Sequence, residues 1–460
     1  MASETFIFYG PPGCGKTHRL MEVLKDEINS YKTPVDKIAF VTFTKKGAEE
    51  GKERASKLLN VSENKLPNFC TLHSFAFRRA GVNKSVMMDK AKYLDFSRKM
   101  GMNFSGYYSS VTGDDDKYLE FIDMYRNNRK SAQDLVGYLD MNKALWVMKQ
   151  YKKYKDTFGY KDFTDLIEQY NGCENLDVAI IDEAQDLTTL QWQMSMKAFA
   201  NCKRVYIAGD DDQAIYQWSG ADVDIFLHLN GTPEVLSQSY RLPKNFVSYS
   251  KGIVSNIKKR IAKEYKGRDE DGEIRRVNSL LEIPLVKDET YLCLARNNSF
   301  LTYYTDWLNM NKVPYLIKGE SLFSQKDVEA IVEWEKIRKT MQMTDKQEYM
   351  FSRLKKHDAL LSDCWYDAFT WKSEKIDYMR SLIATHSIDT KPLINVSTIH
   401  TVKGGEAQNV IILPDITKKV REQLDTMPDS EHRVFYVGVT RASKRLYLVK
   451  PQTPVYYEYL

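Results

Sequence analysis

The sequence predicts an α/β protein of two cores, each a set of parallel strands flanked by helices and each carrying a helical insertion. Three observations carry this. Short apolar runs alternate with helix-like stretches in two separate regions. A glycine-rich loop, Gly10-Pro11-Pro12-Gly13-Cys14-Gly15-Lys16-Thr17, joins the first apolar run to the first helix-like stretch. Stretches rich in Met, Tyr and Lys, with few strand signals, interrupt both regions. A chain of 460 residues is also too long for one ordinary core.

Residues 6–9 read as a strand and residues 17–29 as the helix after the loop. Residues 37–42 read as a second buried strand, and 44–59 as the helix that follows. Residues 86–160 are helical in character. Strand signals return at 178–181 and 204–208, short apolar runs ending in acidic residues. A second strand region opens near Val235 and holds 291–295, 396–399, 410–413 and 446–449. Residues 328–391 are helical, aromatic and charged. The expected layout is a first core from 1–85 and 161–234 with an insertion at 86–160. The second core takes 235–339 and 392–460, with a reduced insertion at 340–391.

Composition is that of a globular protein, 43% hydrophobic and 28% charged. No apolar run approaches the roughly 18 residues of a membrane span. The start, with Ser3-Glu4 before a short strand, lacks the basic-then-apolar layout of a secretory leader. A cytoplasmic setting, in a bacterium or a virus-infected host, and no membrane partner are therefore expected. Six cysteines (Cys14, Cys70, Cys173, Cys202, Cys293, Cys364) show no metal spacing and read as reduced thiols. Cys14, inside the loop, is the exception, a thiol within reach of reagents. The net charge of +5 is too mild to prove nucleic-acid binding. Basic clusters at Lys45-Lys46, 149–155 and Lys258-Lys259-Arg260 read more readily as solvated helix faces than as phosphate tracks.

The loop is a complete G-x-x-x-x-G-K-[ST] phosphate-binding motif in its required strand–loop–helix setting. Gly10, Gly13 and Gly15 let backbone N–H groups turn toward phosphates, Pro11 and Cys14 complete the nucleotide-binding loop, and the helix N-terminus adds partial positive charge. Lys16 would reach the β and γ phosphates, Thr17 would hold Mg²⁺, and His18 follows at the helix start. A nucleoside triphosphate is the ligand this predicts. Residues 178–186 read Val-Ala-Ile-Ile-Asp-Glu-Ala-Gln-Asp, an apolar strand ending in acid. Asp182 can hold Mg²⁺ through water, and Glu183 is placed to deprotonate the attacking water.

Asp182-Glu183-Ala184-Gln185-Asp186 resembles motif II of the UvrD/Rep/PcrA-like superfamily 1 DNA helicases, and further segments match in order over nearly the whole chain. Val41-Thr42-Phe43-Thr44-Lys45-Lys46-Gly47-Ala48 resembles motif Ia, and Thr71-Leu72-His73-Ser74-Phe75 resembles motif Ib, which places Thr42, Phe43, Thr44 and His73 at single-stranded DNA. Asp162-Phe163-Thr164-Asp165-Leu166 is similar to the segment that precedes motif II. Residues 209–221 resemble motif III; Gln213 would sense the γ-phosphate or the attacking water, and Tyr216 and Trp218 would stack on bases. Gln238-Ser239-Tyr240-Arg241 resembles motif IV, with Tyr240 on the adenine and Arg241 reaching the γ-phosphate from the second core. Residues 397–406 resemble motif V, with Thr398, His400 and Lys403 toward DNA or the interdomain cleft and Gly404 and Glu406 near the nucleotide. Residues 436–442 resemble motif VI, with Arg441 as the arginine finger.

The resemblance implies two RecA-like cores and an ATP- and Mg²⁺-dependent motor moving 3′ to 5′ on single-stranded DNA. Implied partners are that strand, single-strand/duplex junctions and a replication or repair protein, with the motor itself a monomer. Two departures shape the expectation. The family's adenine-reading Leu-Asn-x-x-Gln segment has no counterpart in the nine residues before Gly10, so GTP or CTP use within about tenfold of ATP is expected, one lost hydrogen-bonded contact. Both insertions are short, which points to a compact, less autoinhibited motor that translocates well and unwinds poorly alone. The Lys-, Tyr- and Asn-rich composition is compatible with a phage or mobile-element origin. A clamp or translocase without efficient unwinding, and an RNA-directed motor, stay open as alternatives, because backbone and stacking contacts are largely indifferent to the sugar.

Overall fold

The computed structural model describes residues 4–105, 115–128, 139–172, 174–385 and 392–460; parts of both expected insertions, and Cys173, lie outside them. The chain divides into two compact units. The first runs to Arg241 and adds Ile257–Arg268; the second is Leu242–Asn256 with Asp269–Leu460.

The first unit holds a six-stranded sheet: β1 (Glu4–Tyr9), β2 (Ile38–Thr42), β3 (Phe69–Thr71), β4 (Val178–Asp182), β5 (Arg204–Gly209) and β6 (Thr232–Val235), in the order β3-β2-β4-β5-β1-β6. Every pairing is parallel. Parallel strands need helical crossovers that cover both faces, so such strands are apolar throughout. β2 and β4 are accordingly buried at every position. Alternate residues feed two cores: Ile7, Val41, Ile181 and Ile207 enter one, and Phe8, Phe40, Ile180 and Tyr206 the other. Helices α1 (Lys16–Asn29) and α2 (Lys45–Leu59) follow β1 and β2. α2 starts where the Thr44 hydroxyl accepts the Gly47 N–H at 3.1 Å. A short helix α3 (Leu72–Ala80) begins likewise on Thr71.

Between α3 and β4, helices Lys90–Met100, Asp116–Asn128 and Met141–Phe158 build a separate core from Tyr93, Phe96, Ile122, Val147 and Tyr151. An ion network ties them to the helix Phe163–Glu168. Arg126 donates to Asp162 at 2.7 Å, Asp165 at 2.6 Å and Glu168 at 2.8 Å, and Lys155 reaches Asp162 and Asp165 at 2.5 Å each. Burial by itself would raise the Asp162 carboxyl, but Lys155 and Arg126 bring it down to about 2.

A two-stranded ribbon of β7 (Gln238–Pro243) and β8 (Lys266–Arg268) lies almost wholly in the first unit, and the second unit holds a seven-stranded sheet. Its strands are β9 (Glu273–Val277), β10 (Tyr291–Ala295), β11 (Tyr315–Ile317), β12 (Glu320–Ser321), β13 (Ile394–Thr398), β14 (Ala407–Ile412) and β15 (Ala442–Val449), in the order β12-β11-β13-β10-β14-β15-β9. Only the β11–β12 edge is antiparallel among the described pairings. Helices Gln325–Thr340, Asp345–Phe351, Trp365–Ala368 and Ser373–Thr385 share a second core around Trp334, Phe351, Phe369 and Met379. That core starts before residue 340, because Trp334 and Ile337 of the first of these helices lie in it. Among the described residues no helix is long and apolar enough to cross a membrane.

The architecture is the α/β class expected, with two parallel sheets flanked by helices. Strands β3, β6, β8, β9, β11 and β12 escaped the sequence reading; they are short or polar and lack a sustained apolar run. The expected boundary at 235 also falls early, since residues to Arg241 pack with the first unit.

Arg126→Met should destabilise the first unit by about 3 to 5 kcal/mol, because it strips a buried carboxylate cluster of one cation. The Asp162 carboxyl lies lower when folded than its ordinary value near 4, so its stabilisation is full above that value and is lost as pH falls toward about 2. Acid unfolding of the variant should therefore begin at higher pH than in the wild type, read from thermal melts across an acid pH series.

Candidate functional site

Because the first sheet is wholly parallel, its strands end on one edge. β1 ends before the glycine-rich loop, β2 before Phe43, β3 before α3, β4 at Asp182 and β5 at Gly209. The register sets Thr42 beside both Thr71 and Asp182, and Tyr9 beside Gly209. Ligands of open parallel sheets bind at this carboxyl edge.

The loop closes tightly on itself. A Cβ on Gly10 would sit 2.0 Å from Lys16 Cγ, and one on Gly13 2.4 Å from Arg241 Cβ, so neither position accepts a side chain. Gly13 also has φ +71°. α1 then starts from Gly15 with no side-chain cap, leaving its first N–H groups open to an anion. Lys16 Nζ donates to the Gly10 carbonyl at 3.2 Å and stands 3.8 Å from Glu183 Oε1. Burial pulls its ammonium down, but Glu183, Cys14, Asp210 and Asp182 more than reverse this, so Lys16 stays charged. The Thr17 hydroxyl donates to Asp182 Oδ2 at 3.3 Å. Burial first, and the Glu183 charge second, push the Asp182 carboxyl up to about 6. A carboxylate so placed favours an added cation. His18 points to solvent and pairs with Glu22 at 3.5 Å.

Glu183 has a left-handed backbone, φ 52° and ψ 40°, an uncommon conformation for a non-glycine residue and one that clusters at functional sites. Gln185, fully buried, holds its carboxylate: Nε2 donates to Glu183 Oε2 at 2.6 Å, while Oε1 accepts the Asp210 N–H at 3.0 Å. Asp210 Oδ2 in turn accepts from Gln213 Nε2 at 2.6 Å. The acid after β4 and the glutamine after β5 are thus joined by a continuous hydrogen-bonded chain.

Tyr240 and Arg241 were expected from the second core; the structure places both with the first unit. The Ser239 hydroxyl donates to the Pro12 carbonyl at 2.6 Å, and the Tyr240 N–H to the Gly13 carbonyl at 2.9 Å. These bonds fasten the segment to the phosphate loop, with the Tyr240 ring exposed.

Of the residues expected at DNA, Phe43 and Tyr216 lie 5.6 Å apart between ring centres, and Trp218 stands 6.5 Å from Tyr216 and is 59% exposed. His73 meets the exposed Phe163 ring edge-on at 5.9 Å. Burial, opposed only by Asp162, pushes the His73 imidazole down to about 4, so it is neutral at physiological pH. Thr44 spends its hydroxyl on the α2 cap, and the buried Thr42 hydroxyl has no partner among the described residues.

In the second unit, Thr398 ends β13 and shares a hydrogen bond of 3.0 Å with Thr401. The following turn carries His400, Lys403, an exposed Gly404 with φ 84° and an exposed Glu406. Arg441 donates to the carbonyls of Val437 at 2.9 Å and Gly405 at 3.2 Å, which ties motif VI to motif V within the unit.

Residues 2–234 match the UvrD/REP helicase N-terminal domain. Residues 331–453 match the UvrD-like helicase C-terminal domain. The chain belongs to the UvrD/Rep helicase family. A probable DNA helicase II homolog of Mycoplasma capricolum is 25% identical over 378 residues, covering 69% of this chain and 50% of that protein. ATP-dependent DNA helicase Rep of Buchnera aphidicola is 22% identical over 440 residues, 85% of this chain and 67% of its own. The Escherichia coli Rep helicase is 24% identical over 364 residues, 70% and 54%. The chain spans half the length of the Mycoplasma relative.

Sequence reasoning missed how this UvrD/Rep-family chain secures the site from a distance. Arg260, read as part of a solvated cluster, donates to both Asp212 oxygens at 2.8 and 2.7 Å, and Lys263 is buried against Asp210, Asp211 and Asp212. An Arg-x-x-Lys pair downstream of an acidic triplet was the available signal, but nothing in a linear sequence says that the two meet.

The expectation for Cys14 is reversed. Its thiol is buried, and burial pushes it up to about 11 despite Lys16 beside it. Brief alkylation with iodoacetamide near about pH 8 should label the part-exposed Cys364 and spare Cys14, as read by peptide mass mapping.

Proposed function

We propose that this protein is an ATP-dependent DNA helicase or translocase that moves 3′ to 5′ along single-stranded DNA. The hydrogen-bonded chain Glu183–Gln185–Asp210–Gln213 carries the reading. It joins a general base to a phosphate sensor, and the sensor is followed at once by the aromatic residues Tyr216 and Trp218. A change at Gln213 during hydrolysis therefore has a short path to the groups that would grip bases.

The residues fit a magnesium–nucleoside triphosphate. Gly10 and Gly13 of the loop have no room for a side chain, the helix N-terminus has no side-chain cap, and Thr17 faces Asp182. In this reading Thr17 and Asp182 hold Mg²⁺, which supplies positive charge to the transferring phosphoryl group. Lys16 adds the second positive charge at the β and γ phosphates. Glu183 takes the proton of the attacking water, its carboxylate aimed by Gln185. Gln213 orients that water or the γ-phosphate. Tyr240 offers an exposed face to the base, and Arg241, whose backbone and Cβ pack against Gly13, would supply a cation. The parts of Gly404, Glu406 and Arg441 rest on the family resemblance. Phe43, His73, Tyr216 and Trp218 offer rings, with Thr42, Thr44, Thr398, His400 and Lys403 as polar contacts.

ATPase rates with and without single-stranded DNA, run beside Glu183→Gln, test the reading. Stimulation by DNA is expected, and the variant should lose at least about 100-fold in kcat with ATP binding retained. ATPase indifferent to DNA would favour a clamp, and equal stimulation by RNA an RNA motor. Unwinding of 3′-tailed but not 5′-tailed duplexes is the expected polarity. Trp218→Ala should weaken single-stranded DNA binding by about 1 to 3 kcal/mol, measured by fluorescence anisotropy, with unstimulated ATPase unchanged.

A further inference from the structure

Asp210, Asp211 and Asp212 are each at most 1% exposed, and their carboxylates come as close together as the ligands of a divalent ion. An ammonium stands there instead. Lys263 Nζ lies 3.0 Å from Asp210 Oδ1 and 2.9 Å from Asp212 Oδ2, and bonds Asp211 as well. Its own side chain is 1% exposed. Arg260 donates to both oxygens of Asp212, sharing Oδ2 with Lys263, and the Ile261 N–H donates to Asp211 Oδ2 at 2.9 Å. Three buried carboxylates in a row repel one another and are costly to bury unpaired; two cations and a backbone N–H meet that cost.

The arrangement matters because of what Asp210 does with its other oxygen. Oδ1 faces Lys263, while Oδ2 accepts from Gln213. The cation and the glutamine hold opposite ends of one carboxylate. Asp210 thus restrains the Gln213 amide, and its own Oδ1 is held by Lys263 together with the Asp212 N–H at 3.2 Å. The lysine lies in Ile257–Arg268, a segment that returns to the first unit after the chain has visited the second and that leads straight back into it. We propose that Lys263, seconded by Arg260, is a positioning residue for hydrolysis: it sets Gln213 through Asp210 and anchors the returning segment to the sensor loop. This rests on the reading of Gln213 as the sensor of the γ-phosphate or attacking water. Lys263 touches no residue of the phosphate loop among the bonds described, so its loss should leave ATP binding in place.

The test compares wild type, Lys263→Met and Lys263→Met/Asp211→Asn as full-length chains, with active sites counted by a fluorescent nucleotide. Lys263→Met should lose about tenfold or more of DNA-stimulated kcat while KM for ATP stays within about threefold. The double variant removes the unbalanced charge and should recover about a third or more of the wild-type rate. A role confined to stability would lower the melting temperature and the number of active sites, but not kcat per site. A Lys263→Met rate per site within about twofold of wild type overturns the proposal. Should Lys263→Met not fold, Arg260→Met decides, with a loss of about threefold in kcat expected at unchanged KM and no loss overturning it. Wild type without DNA-stimulated ATPase would instead sink the motor reading itself.

Discussion

In the first sheet β1 pairs with β5 and β6, and β2 with β3 and β4, all in parallel register, so each strand delivers the residue after its last to the same edge. Parallel pairing cannot be made by hairpins. Each return of the chain needs a crossover, and the crossovers are the helices that bury both faces. The phosphate loop, the segment after β2, Asp182-Glu183 and the Asp210–Gln213 turn therefore meet because of the ladder, not because of any attraction among themselves. The ladder is secured by strands buried on both faces, such as β2 and β4, each buried Val, Ile or Phe side chain contributing about 1.5 to 3 kcal/mol.

Bringing those turns together concentrates acid. Asp182, Glu183, Asp186 and Asp210–Asp212 crowd one end of the sheet, and their mutual repulsion is met in different ways. Asp182 and Glu183 face Lys16, with the Asp182 carboxyl still pushed upward, an environment that welcomes a further cation. Asp210–Asp212 are instead neutralised from within by Lys263 and Arg260. Burial alone would lower the Lys263 ammonium, and the charges of Asp210, Asp212 and Asp211 raise it far above its ordinary value. One acidic group is thus left short of positive charge and one is closed. That difference separates an acidic pair open to a further cation from a triplet already neutralised within the structure.

Much of this was legible in residue order. The loop from Gly10 to Thr17, the apolar strands ending in acid and the aromatic run after Gln213 all carry local patterns with a physical meaning, and the cores formed where those patterns lie. The short strands β3, β9 and β11 were not legible, because a run of only three residues, or of five with charged members, has no period to detect. The membership of Tyr240 and Arg241 was misread for a related reason. Their strand follows a unit boundary by sequence, yet Ser239 and Tyr240 bond to the carbonyls of Pro12 and Gly13.

By itself, the sequence determined the α/β class, the two-core layout and the identity of the residues in the glycine-rich loop and after β4, because each depends on neighbours a few positions apart. Only the tertiary structure decided which of those residues hold one another. Gln185 sits between Glu183 and Asp210, and Lys263 reaches an acidic triplet some fifty positions away. It decided, too, that Cys14 is a buried thiol and not an exposed one. Hydrogen bonds and ion pairs act over a few ångströms whatever the separation in sequence, so their partners exist only once the sheet has brought distant turns to a common edge.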